Sequence, residues 1–428
     1  MIYLHVPFCR SFCTYCGFHS RICSGAESPQ VQNFIRSVCA EAAARRAEIA
    51  AARAASVHTL YLGGGTPSLL SLDQLAAIVD AVTAVCRGAK ESLFEEFTME
   101  VNPDDIVAGG VGYVRGLRAL GVNRISMWVQ SWDDGILRWM NRRHDAAGAR
   151  RAYEILREGG IENSSLDLIF GLSQLSEAAW AETLRQTVAL RPEHISAYQL
   201  SVDPDSALDG LVRAGRYREA SDAAAARQYA ILCETLAAAG YVHYEVSNFA
   251  LPGREAVHNS AYWRRLPYVG LGPAAHSFDG LRRTWNAAAP DWNAPDSAPG
   301  RHNSAQNVSS APDSVPAGSV VDAEAGETPQ RGKRHFAGGS ETLTVAEARE
   351  EAIMLGLRTA AGIPAALLSA ASGASAASAA GSTGSAFVLA PAAERLLAEG
   401  ALVRLPGDRL RIPESRWFVS DDIISSLL

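Results

Sequence analysis

Residues 5–18 of this chain read HVPFCRSFCTYCGF, which places Cys9, Cys13 and Cys16 directly behind an apolar, strand-like run at 2–6. Three thiolates with the spacing C-x3-C-x2-C can bind three irons of a [4Fe–4S] cluster, whose usual complement is four cysteines. The fourth iron then keeps a position open for another ligand, as a catalytic zinc does. The spacing therefore predicts an iron–sulfur cluster that binds a further molecule.

A glycine-rich strand end helps to interpret the cysteines, whose spacing alone also fits a structural zinc site completed by His5 or His19, or three unrelated buried thiols. The segment at 57–68 reads VHTLYLGGGTPS, a β-branched and aromatic run that ends in three glycines. Without a Cβ in the way, a ligand can approach the backbone there. By itself the motif also fits an ordinary strand-to-helix turn, but after the cysteines it favours the cluster.

The two motifs together resemble the radical S-adenosylmethionine (SAM) superfamily, and YLHVPFC…C…CGF resembles its oxygen-independent coproporphyrinogen III oxidase-like family. The resemblance implies a [4Fe–4S] cluster on the three cysteines, with SAM bound to the open iron. Later strings follow in the order that the family has: TMEVNPDD at 98–105, NRISMWVQSWDD at 123–134, WMNRRHD at 139–145, SLDLIFGL at 165–172 and HNSAYW at 258–263.

The resemblance also implies which residues contact SAM, with Glu100 on the ribose. The full implied set is Tyr3, Gly64, Gly65, Thr66, Glu100, Gln130, Arg142 and Asp167. The residue types suit the task, because carboxylates accept from ribose hydroxyls and an arginine fork binds a carboxylate with two hydrogen bonds. The acids and Gln130 lie at or near the ends of strand-like runs, and in a parallel barrel those ends share one mouth. Taken singly, each position also fits a solvated acid or a surface arginine.

Alternating strand-like and helix-like segments predict an α/β fold with a parallel sheet and right-handed crossovers. Six repeats indicate a partial (β/α)6 radical SAM barrel, followed by a smaller, mainly helical C-terminal domain. A further strand is expected at 241–249. The six predicted strands lie near 2–6, 57–62, 97–101, 123–128, 164–170 and 194–200, and helices are expected at 31–55, 72–86 and 146–158.

Composition divides the chain into three parts. Residues 1–286 are expected to form the radical SAM core with the extension that carries HNSAYW. Residues 287–340 are rich in Ala, Pro, Ser, Asn, Asp and Gly, which predicts a disordered insertion because such a stretch buries little apolar surface. Residues 341–428 are expected to form the C-terminal domain, with a low-complexity loop at 369–385 and a hairpin at 401–412.

Two features favour the heme chaperone branch of the family. Oxidases in the strict sense resemble C-x3-C-x2-C-x-C, whereas the last position here is Phe18, as in the chaperone branch. That branch also carries an H-N-x-x-Y-W motif linked with heme binding, matched by His258, Tyr262 and Trp263. Imidazole is a normal axial ligand of heme iron, and an aromatic pair offers surface for a porphyrin face. The alternative is that His258 caps a turn while the aromatic pair packs an interface.

The resulting expectation is a heme chaperone that binds a [4Fe–4S] cluster, SAM and heme and delivers heme to apo-hemoproteins. One alternative is an oxygen-independent coproporphyrinogen III oxidase of porphyrin biosynthesis, which decarboxylates propionate side chains oxidatively by radical SAM chemistry. Another is a radical SAM catalyst for a different substrate. Whether the chain is an enzyme stays open, because Phe18 replaces the fourth cysteine of the oxidase motif.

Composition also bears on partners and location. The formal net charge of −7 argues against an extended nucleic-acid surface, which needs a basic field. Neither a transmembrane run nor a basic, apolar leader is present, so we expect a cytoplasmic protein, compatible with peripheral membrane contact and a homodimer. Seven cysteines, three of them in one motif, argue against a disulfide framework. The remaining four are expected to be buried in a reducing compartment: Cys23, Cys39, Cys86 and Cys233.

Three positions depart from the family pattern. Trp128 stands where the family usually has glycine, beside the expected SAM pocket, and its indole is expected to narrow that pocket or to shift the cofactor. Ser173 replaces the usual proline after Gly-Leu, and Ala274 replaces a glycine. These departures bear on SAM affinity and leave the cluster ligands unchanged.

Overall fold

A computed structural model describes residues 1–84, 93–204, 206–288, 337–370 and 388–428. Most of the predicted insertion, most of the predicted loop at 369–385, and Cys86 lie outside these residues. Within them, no helix has the length and apolar character needed to cross a bilayer.

The strands fall into one large and three small sheets. In chain order they are β1 (Ile2–Val6), β2 (Phe8–Cys9), β3 (Arg21–Ile22), β4 (Thr59–Gly64), β5 (Glu96–Val101), β6 (Arg124–Gln130), β7 (Ser164–Phe170), β8 (His194–Gln199), β9 (Val242–Glu245), β10 (Asn248–Ala250), β11 (Val269–Leu271), β12 (His276–Phe278), β13 (Arg282–Asn286), β14 (Ala337–Thr342), β15 (Ile363–Pro364), β16 (Val403–Leu405) and β17 (Arg409–Arg411).

The α-helices connect the strands of the large sheet and build the C-terminal part. They are α1 (Pro29–Ala44), α2 (Arg46–Ala55), α3 (Leu72–Thr83), α4 (Pro103–Ala119), α5 (Asp134–Trp139), α6 (Ala146–Glu158), α7 (Glu177–Leu190), α8 (Ala207–Arg213), α9 (Asp222–Ala238), α10 (Val257–Trp263), α11 (Val345–Leu357), α12 (Pro391–Ala398) and α13 (Ser420–Ser425).

Six parallel strands form the centre of the large sheet in the order β1-β4-β5-β6-β7-β8, and helices lie between successive strands. Each central strand is buried along most of its length, and β7 is buried at all seven positions. Burial on both faces explains the near-continuous apolar runs in the sequence. The prediction of a (β/α)6 radical SAM fold is therefore confirmed.

Three further strands extend this sheet at its two ends. β11 pairs in parallel with β1, while β10 pairs antiparallel with β8 and with β9. The single strand predicted at 241–249 is wrong in this detail, because a turn at 246–247 divides it into β9 and β10. The β-branched and aromatic residues Val242, Tyr244 and Phe249 are the reason why the stretch resembled one continuous strand in the sequence.

The strands that precede and follow the predicted insertion belong to one small sheet. β12, β13 and β14 form an antiparallel sheet in which Asn286, the last residue of β13, pairs with Ala337, the first of β14. Residues 337–340 thus belong to a strand, although composition assigned them to the insertion. Their small and polar side chains suit an edge strand with little apolar surface.

The C-terminal part combines α11, α12 and α13 with a small antiparallel sheet of order β15-β17-β16. The hairpin predicted at 401–412 is confirmed as β16 and β17, whose turn places Gly407 and Asp408 at positive φ. This part packs on the barrel next to β9, where the backbone N–H of Val246 donates to the carbonyl oxygen of Arg358 at 3.0 Å.

Candidate functional site

The loop that carries the three cysteines is held at both ends. It runs between β2 and β3, which pair in parallel, and the N–H of Cys23 donates to the carbonyl oxygen of Cys9 at 3.0 Å. In its middle, the Thr14 hydroxyl donates to the Trp139 carbonyl oxygen at 2.8 Å. The Thr14 carbonyl oxygen accepts from the N–H of Leu208 at 2.7 Å, so α5 and α8 both contact the loop.

The three thiols are free, half-buried and close enough to affect one another. Burial raises the pKa of Cys9, and burial raises that of Cys16 to about 12. The neighbouring Cys13 adds to both shifts, because three thiolates repel one another. Deprotonating Cys9 and Cys16 therefore requires a strong positive charge nearby, which a bound metal cluster provides.

The donor set fits such a cluster, although the thiols are not preassembled. In the described ranges, no three His, Cys, Asp or Glu side chains are gathered closely enough to hold a metal ion. Cations and hydroxyls nevertheless approach the sulfurs. Arg142 Nη1 lies 3.2 Å from Cys13 Sγ, and Thr66 Oγ1 lies 3.5 Å from Cys9 Sγ.

Of the two histidines that could complete a zinc site, His5 has no free ring nitrogen. Both ring nitrogens of His5 are engaged, Nδ1 with the hydroxyl of Tyr3 at 3.0 Å and Nε2 with the carbonyl oxygen of His19 at 2.8 Å. His19 keeps a buried Nε2 for which the described part of the chain offers no hydrogen-bond partner.

The glycines at the end of β4 lie so close to neighbouring protein atoms that none of them leaves room for a Cβ. A Cβ on Gly64 would lie 2.4 Å from His5 Nδ1, and one on Gly65 would lie 2.6 Å from the carbonyl oxygen of Val6. A Cβ on Gly63 would lie 2.9 Å from Glu100 Oε2. The glycines therefore let β4 approach the cysteine strand and Glu100, a requirement that sequence analysis attributed to the ligand alone.

Glu100, the predicted ribose residue, lies near the end of β5 and is held by β4. Its Oε1 accepts from the hydroxyl of Tyr61 at 2.7 Å, and its Oε2 accepts from the N–H of Gly64 at 3.0 Å. Burial, with a smaller contribution from the carboxylate of Asp167, raises the pKa of Glu100 to about 8. Sequence analysis missed Tyr61, although the tyrosine stands two residues before Gly63 and so on the same face of β4.

Gln130 combines two properties that are typical of a binding residue. It ends β6 in a left-handed conformation with φ of 66°, just after a bulge in the pairing with β7. Its side chain is buried, and Oε1 has no hydrogen-bond partner among the described residues. Strained backbone and an unpartnered buried acceptor together fit a position that a ligand completes.

Arg142 has a buried donor without a hydrogen-bond partner in the described residues, whereas Asp167 accepts hydrogen bonds from neighbouring serines. Arg142 lies in the turn after α5, not on a helix, and donates to Cys13, to Asn102 Oδ1 and to the carbonyl oxygen of Trp128. Its Nε is buried and lacks an acceptor within the described residues. Asp167 lies in the middle of β7 and accepts from the hydroxyls of Ser126 and Ser165.

Two predicted SAM residues act as connections between elements. Tyr3 of β1 bonds to His5 and lies beside Tyr61, with ring centroids 6.1 Å apart. Thr66 donates to Cys9 and accepts from Asn102 Nδ2 at 3.2 Å. Tyr3 is therefore connected to Glu100 through Tyr61, whereas Thr66 contacts Cys9 in the cysteine motif.

The three departures from the family pattern have local structural correlates. Trp128 is half-buried in the bulge of β6, where its carbonyl oxygen accepts from Arg142. The N–H of Ser173, which a proline would lack, donates to the hydroxyl of Tyr217 at 3.2 Å. Ala274 adopts φ of 59°, a conformation that glycine enters more easily.

The H-N-x-x-Y-W motif forms α10, with His258 fully buried in its first turn. Its Nδ1 lies 2.8 Å from Thr59 Oγ1 and its Nε2 lies 3.1 Å from the hydroxyl of Tyr262. Trp263 is buried as well, and Tyr262 packs edge-on against Tyr268. Ligation of heme iron by His258 stays a prediction, and it would require the ring to leave one of these partners.

The cysteines outside the motif are all free where the structure describes them. Cys23 is buried as expected. Cys39 and Cys233 are only half-buried, because each lies on a helix face that is partly open to solvent.

Comparison with known proteins gives matches along most of the chain. Residues 3–187 match the model of the Radical SAM superfamily, and residues 343–419 match that of the HemN C-terminal domain. Heme chaperone HemW of Bacillus subtilis (strain 168) is 33% identical over 284 residues, 66% of this chain and 72% of that protein. Heme chaperone HemW of Escherichia coli (strain K12) is 35% identical over 292 residues, 64% of this chain and 69% of that protein.

A solved structure supports the fold. Coproporphyrinogen III oxidase (HemN) from Escherichia coli, a radical SAM enzyme, superposes with a TM-score of 0.69 at 18% identity. The superposition covers 100% of this chain and 89% of that one.

Proposed function

We propose that this chain, which belongs to the heme chaperone branch of the oxygen-independent coproporphyrinogen III oxidase-like family of radical SAM proteins, binds heme and delivers it to apo-hemoproteins. The observation that carries the proposal is the match of about two thirds of the chain to proteins named heme chaperones, at 33% and 35% identity. Phe18, exposed at the position of the oxidases' fourth cysteine, supports it.

The cofactor residues are part of the same proposal. Cys9, Cys13 and Cys16 would hold a [4Fe–4S] cluster, and the guanidinium of Arg142 beside Cys13 would offset part of the negative charge of the thiolates. When bound, the cluster and SAM supply one-electron chemistry, and the protein supplies binding and orientation.

SAM would be bound by residues at or near the ends of the central strands, by Arg142 in the turn after α5 and by Asp167 in the middle of β7. Among the predicted SAM residues, Gln130 Oε1 and Arg142 Nε are buried atoms without hydrogen-bond partners where the structure is described, so they are the most direct candidates for ligand contact. Glu100 retains acceptor capacity, because each carboxylate oxygen accepts two hydrogen bonds and only one is used on each. Tyr3, Gly64, Gly65, Thr66 and Asp167 complete the proposed set.

The alternative function is coproporphyrinogen III oxidation. The likeness to the Escherichia coli oxidase lies in the fold, and the exposed Phe18 replaces the cysteine of the oxidase motif. We therefore retain this activity as the competing outcome of the test.

One experiment separates the two functions. The protein, reconstituted anaerobically with iron and sulfide, is titrated with hemin and separately incubated with coproporphyrinogen III, SAM and a reductant. A saturable Soret band without formation of protoporphyrinogen supports the chaperone, whereas product formation without heme binding overturns it.

A matched cysteine pair tests the cluster within the same design. Cys13→Ala should abolish the broad visible absorption of the reconstituted protein, because two thiolates do not retain a [4Fe–4S] cluster. Cys39→Ala, which lies outside the loop, should retain about four irons per chain. Equal iron content in the two variants would remove the cysteine loop as the cluster site.

A further inference from the structure

Asn102 occupies a helix N-cap but does not use its side chain to cap the helix. It lies between β5 and α4, directly before Pro103. Asparagine is among the preferred N-cap residues because its side-chain oxygen accepts from the N–H groups of the first helical turn. Within the described residues, the side chain of Asn102 makes no such hydrogen bond at the start of α4. The amide group is therefore available for other contacts.

Both ends of the Asn102 amide contact residues that touch the cysteine motif. Its Oδ1 accepts from Nη2 of Arg142, whose Nη1 lies 3.2 Å from Cys13 Sγ. Its Nδ2 donates to Thr66 Oγ1 at 3.2 Å, and Thr66 Oγ1 lies 3.5 Å from Cys9 Sγ. One amide is thus connected, through two different side chains, to two of the three thiols that are proposed to hold the cluster.

The chemistry of these two neighbours determines which way the amide faces. A guanidinium has donors and no acceptor, so only Oδ1 can face Arg142, and Nδ2 must then face Thr66. Because Nδ2 only donates, the oxygen of Thr66 accepts from it. The single hydrogen of the Thr66 hydroxyl is then directed at the sulfur of Cys9. The orientation of Asn102 therefore determines that a hydroxyl donates to a proposed cluster ligand.

Backbone contacts hold Asn102 against the loop that carries Thr66. The N–H of Asn102 donates to Ser68 Oγ at 3.1 Å, and the hydroxyl of Ser68 donates to Asp105 Oδ2 at 2.8 Å. Ser68 and Asp105 are both buried, and Asp105 lies in the first turn of α4. The junction of β5 and α4 is thus bound to the loop after β4 at two points, which restricts the amide to one position.

Hydrogen bonds and charges next to the sulfurs set the reduction potential of an iron–sulfur cluster. A donor to a thiolate sulfur withdraws negative charge, so it stabilises the reduced cluster, which carries one more electron. The guanidinium of Arg142 acts in the same direction, because it is a cation beside Cys13. Both effects raise the reduction potential, and Asn102 is a hydrogen-bond partner of both groups.

We propose that Asn102 is a positioning residue that directs the Thr66 hydroxyl and the Arg142 guanidinium at the cysteine motif and thereby raises the reduction potential of the cluster. The proposal rests on the proposed [4Fe–4S] cluster and adds a residue to which the preceding sections give no role in it. It requires no contact of Asn102 with the cluster or with SAM, because the residue acts through its two neighbours.

An isosteric substitution should reverse the hydrogen bond at Thr66. In Asn102→Asp both side-chain oxygens are acceptors, so the Thr66 hydroxyl would donate to the carboxylate instead of to Cys9, and a negative charge is added beside Arg142. Aspartate is as good an N-cap residue as asparagine, so the fold should be retained. In the reconstituted protein, the ratio of reduced to oxidised cluster at a fixed potential should fall about tenfold, equivalent to about 59 mV for a one-electron couple.

Redox titration, followed by the electron paramagnetic resonance signal of the reduced cluster, measures this shift. The control is Asn33→Asp, which adds the same charge at an exposed position of α1 and should have the potential of the parent. Thr66→Val removes the hydroxyl with little change in shape and should lower the ratio about threefold. Thr66→Ser keeps the hydroxyl and should resemble the parent.

A variant that combines Asn102→Asp with Thr66→Val tests whether the two residues act through one hydrogen bond. Because Asn102→Asp already turns the Thr66 hydroxyl away from Cys9, removal of the hydroxyl should add nothing, and the combined variant should have the potential of Asn102→Asp. Independent effects would instead multiply to about thirtyfold. That result would overturn the directed hydrogen bond.

The remaining outcomes separate this proposal from the function on which it rests. If the parent protein takes up no iron at the cysteine motif, the cluster and the role of Asn102 are both overturned. If the parent forms the cluster and Asn102→Asp has the same potential, only the role of Asn102 is overturned. If Asn102→Asp does not retain the cluster, Thr66→Val decides: a lowered potential supports the proposal, and a potential equal to that of the parent overturns it.

Discussion

At the residue scale, two residues with a left-handed backbone conformation have different explanations. One, Gln130, is a candidate ligand position, and the other, Ala274, is a site of strain. Gln130 and Ala274 have φ of 66° and 59°, in a region that costs a residue with a Cβ about 1–2 kcal/mol. Gln130 also carries a buried, unpartnered Oε1 within the described chain, which gives its strain a plausible functional role. Nothing comparable accompanies Ala274, which is therefore a target for stabilisation.

Replacing Ala274 by glycine should stabilise the protein. Relief of the left-handed strain exceeds the added backbone entropy of the unfolded chain, so Ala274→Gly should raise the free energy of unfolding by about 0.5–1 kcal/mol. Urea denaturation measures this change. The control is Ala275→Gly, at a buried position without positive φ, which should destabilise the protein. A less stable Ala274→Gly variant would contradict the strain argument.

The raised pKa of Glu100 predicts a pH dependence of stability in the cofactor-free protein. Burial places this pKa at about 8 in the folded state, above its usual value of 4.5. As the pH rises, the unfolded state loses this proton before the folded state does. The contribution of Glu100 to the free energy of unfolding is therefore greatest below about pH 4.5 and is lost as the pH rises towards 8. Glu100→Gln removes this loss.

The measurement compares the free energy of unfolding at pH 5 and pH 8. The decrease between the two should be smaller in Glu100→Gln than in the parent by at least about 1 kcal/mol. Glu158→Gln, on the exposed end of α6, should behave like the parent. If the pH profiles of Glu100→Gln and the parent were parallel, the pKa of Glu100 in the folded state would not be raised.

At the scale of elements, α10 depends on a strand for its N-terminal hydrogen bonds. The carboxylate of Glu96 in β5 accepts from the N–H groups of Val257 at 2.7 Å and of His258 at 3.0 Å. No side chain of α10's own N-cap residue, Ala256, performs this role. A negative charge at this end also suits the helix dipole.

Removing the charge of Glu96 should therefore loosen α10. We expect Glu96→Gln to lower the free energy of unfolding by about 1–2 kcal/mol, because an amide accepts through one oxygen where the carboxylate uses two. Chemical denaturation gives the value, and Glu95→Gln at the exposed neighbouring position is the control. If the two variants were equally stable, the capping role of Glu96 would be wrong.

At the scale of the whole molecule, the ends of the predicted insertion meet in a hairpin. Asn286 of β13 and Ala337 of β14 are paired, so a short linker can join the two strands in place of residues 289–336. Because each halving of a loop lowers its closure cost by about 0.6 kcal/mol, the shortened protein should be more stable by about 1–2 kcal/mol.

Heme binding should be unaffected by this replacement, since α10, which carries the H-N-x-x-Y-W motif, does not include the removed residues. Thermal unfolding and hemin titration of the shortened protein test the two expectations together. A loss of hemin affinity with unchanged thermal stability would show that the removed stretch contributes to the heme site.

Motif spacing and strand periodicity were enough to predict the parallel six-stranded barrel and the family, because both are local properties of the chain. The cysteine spacing indicated a metal loop, and the glycine run indicated a strand that something approaches closely. The sequence also predicted that the acids and Gln130 lie at one mouth, because parallel strands end at the same edge of a sheet.

Tertiary structure alone decided which partners those residues have. The bond from Tyr61 to Glu100, the contact of Arg142 with Cys13 and the burial of His258 each join residues from different parts of the chain. No local pattern specifies such pairs, because they depend on how strands align and helices pack.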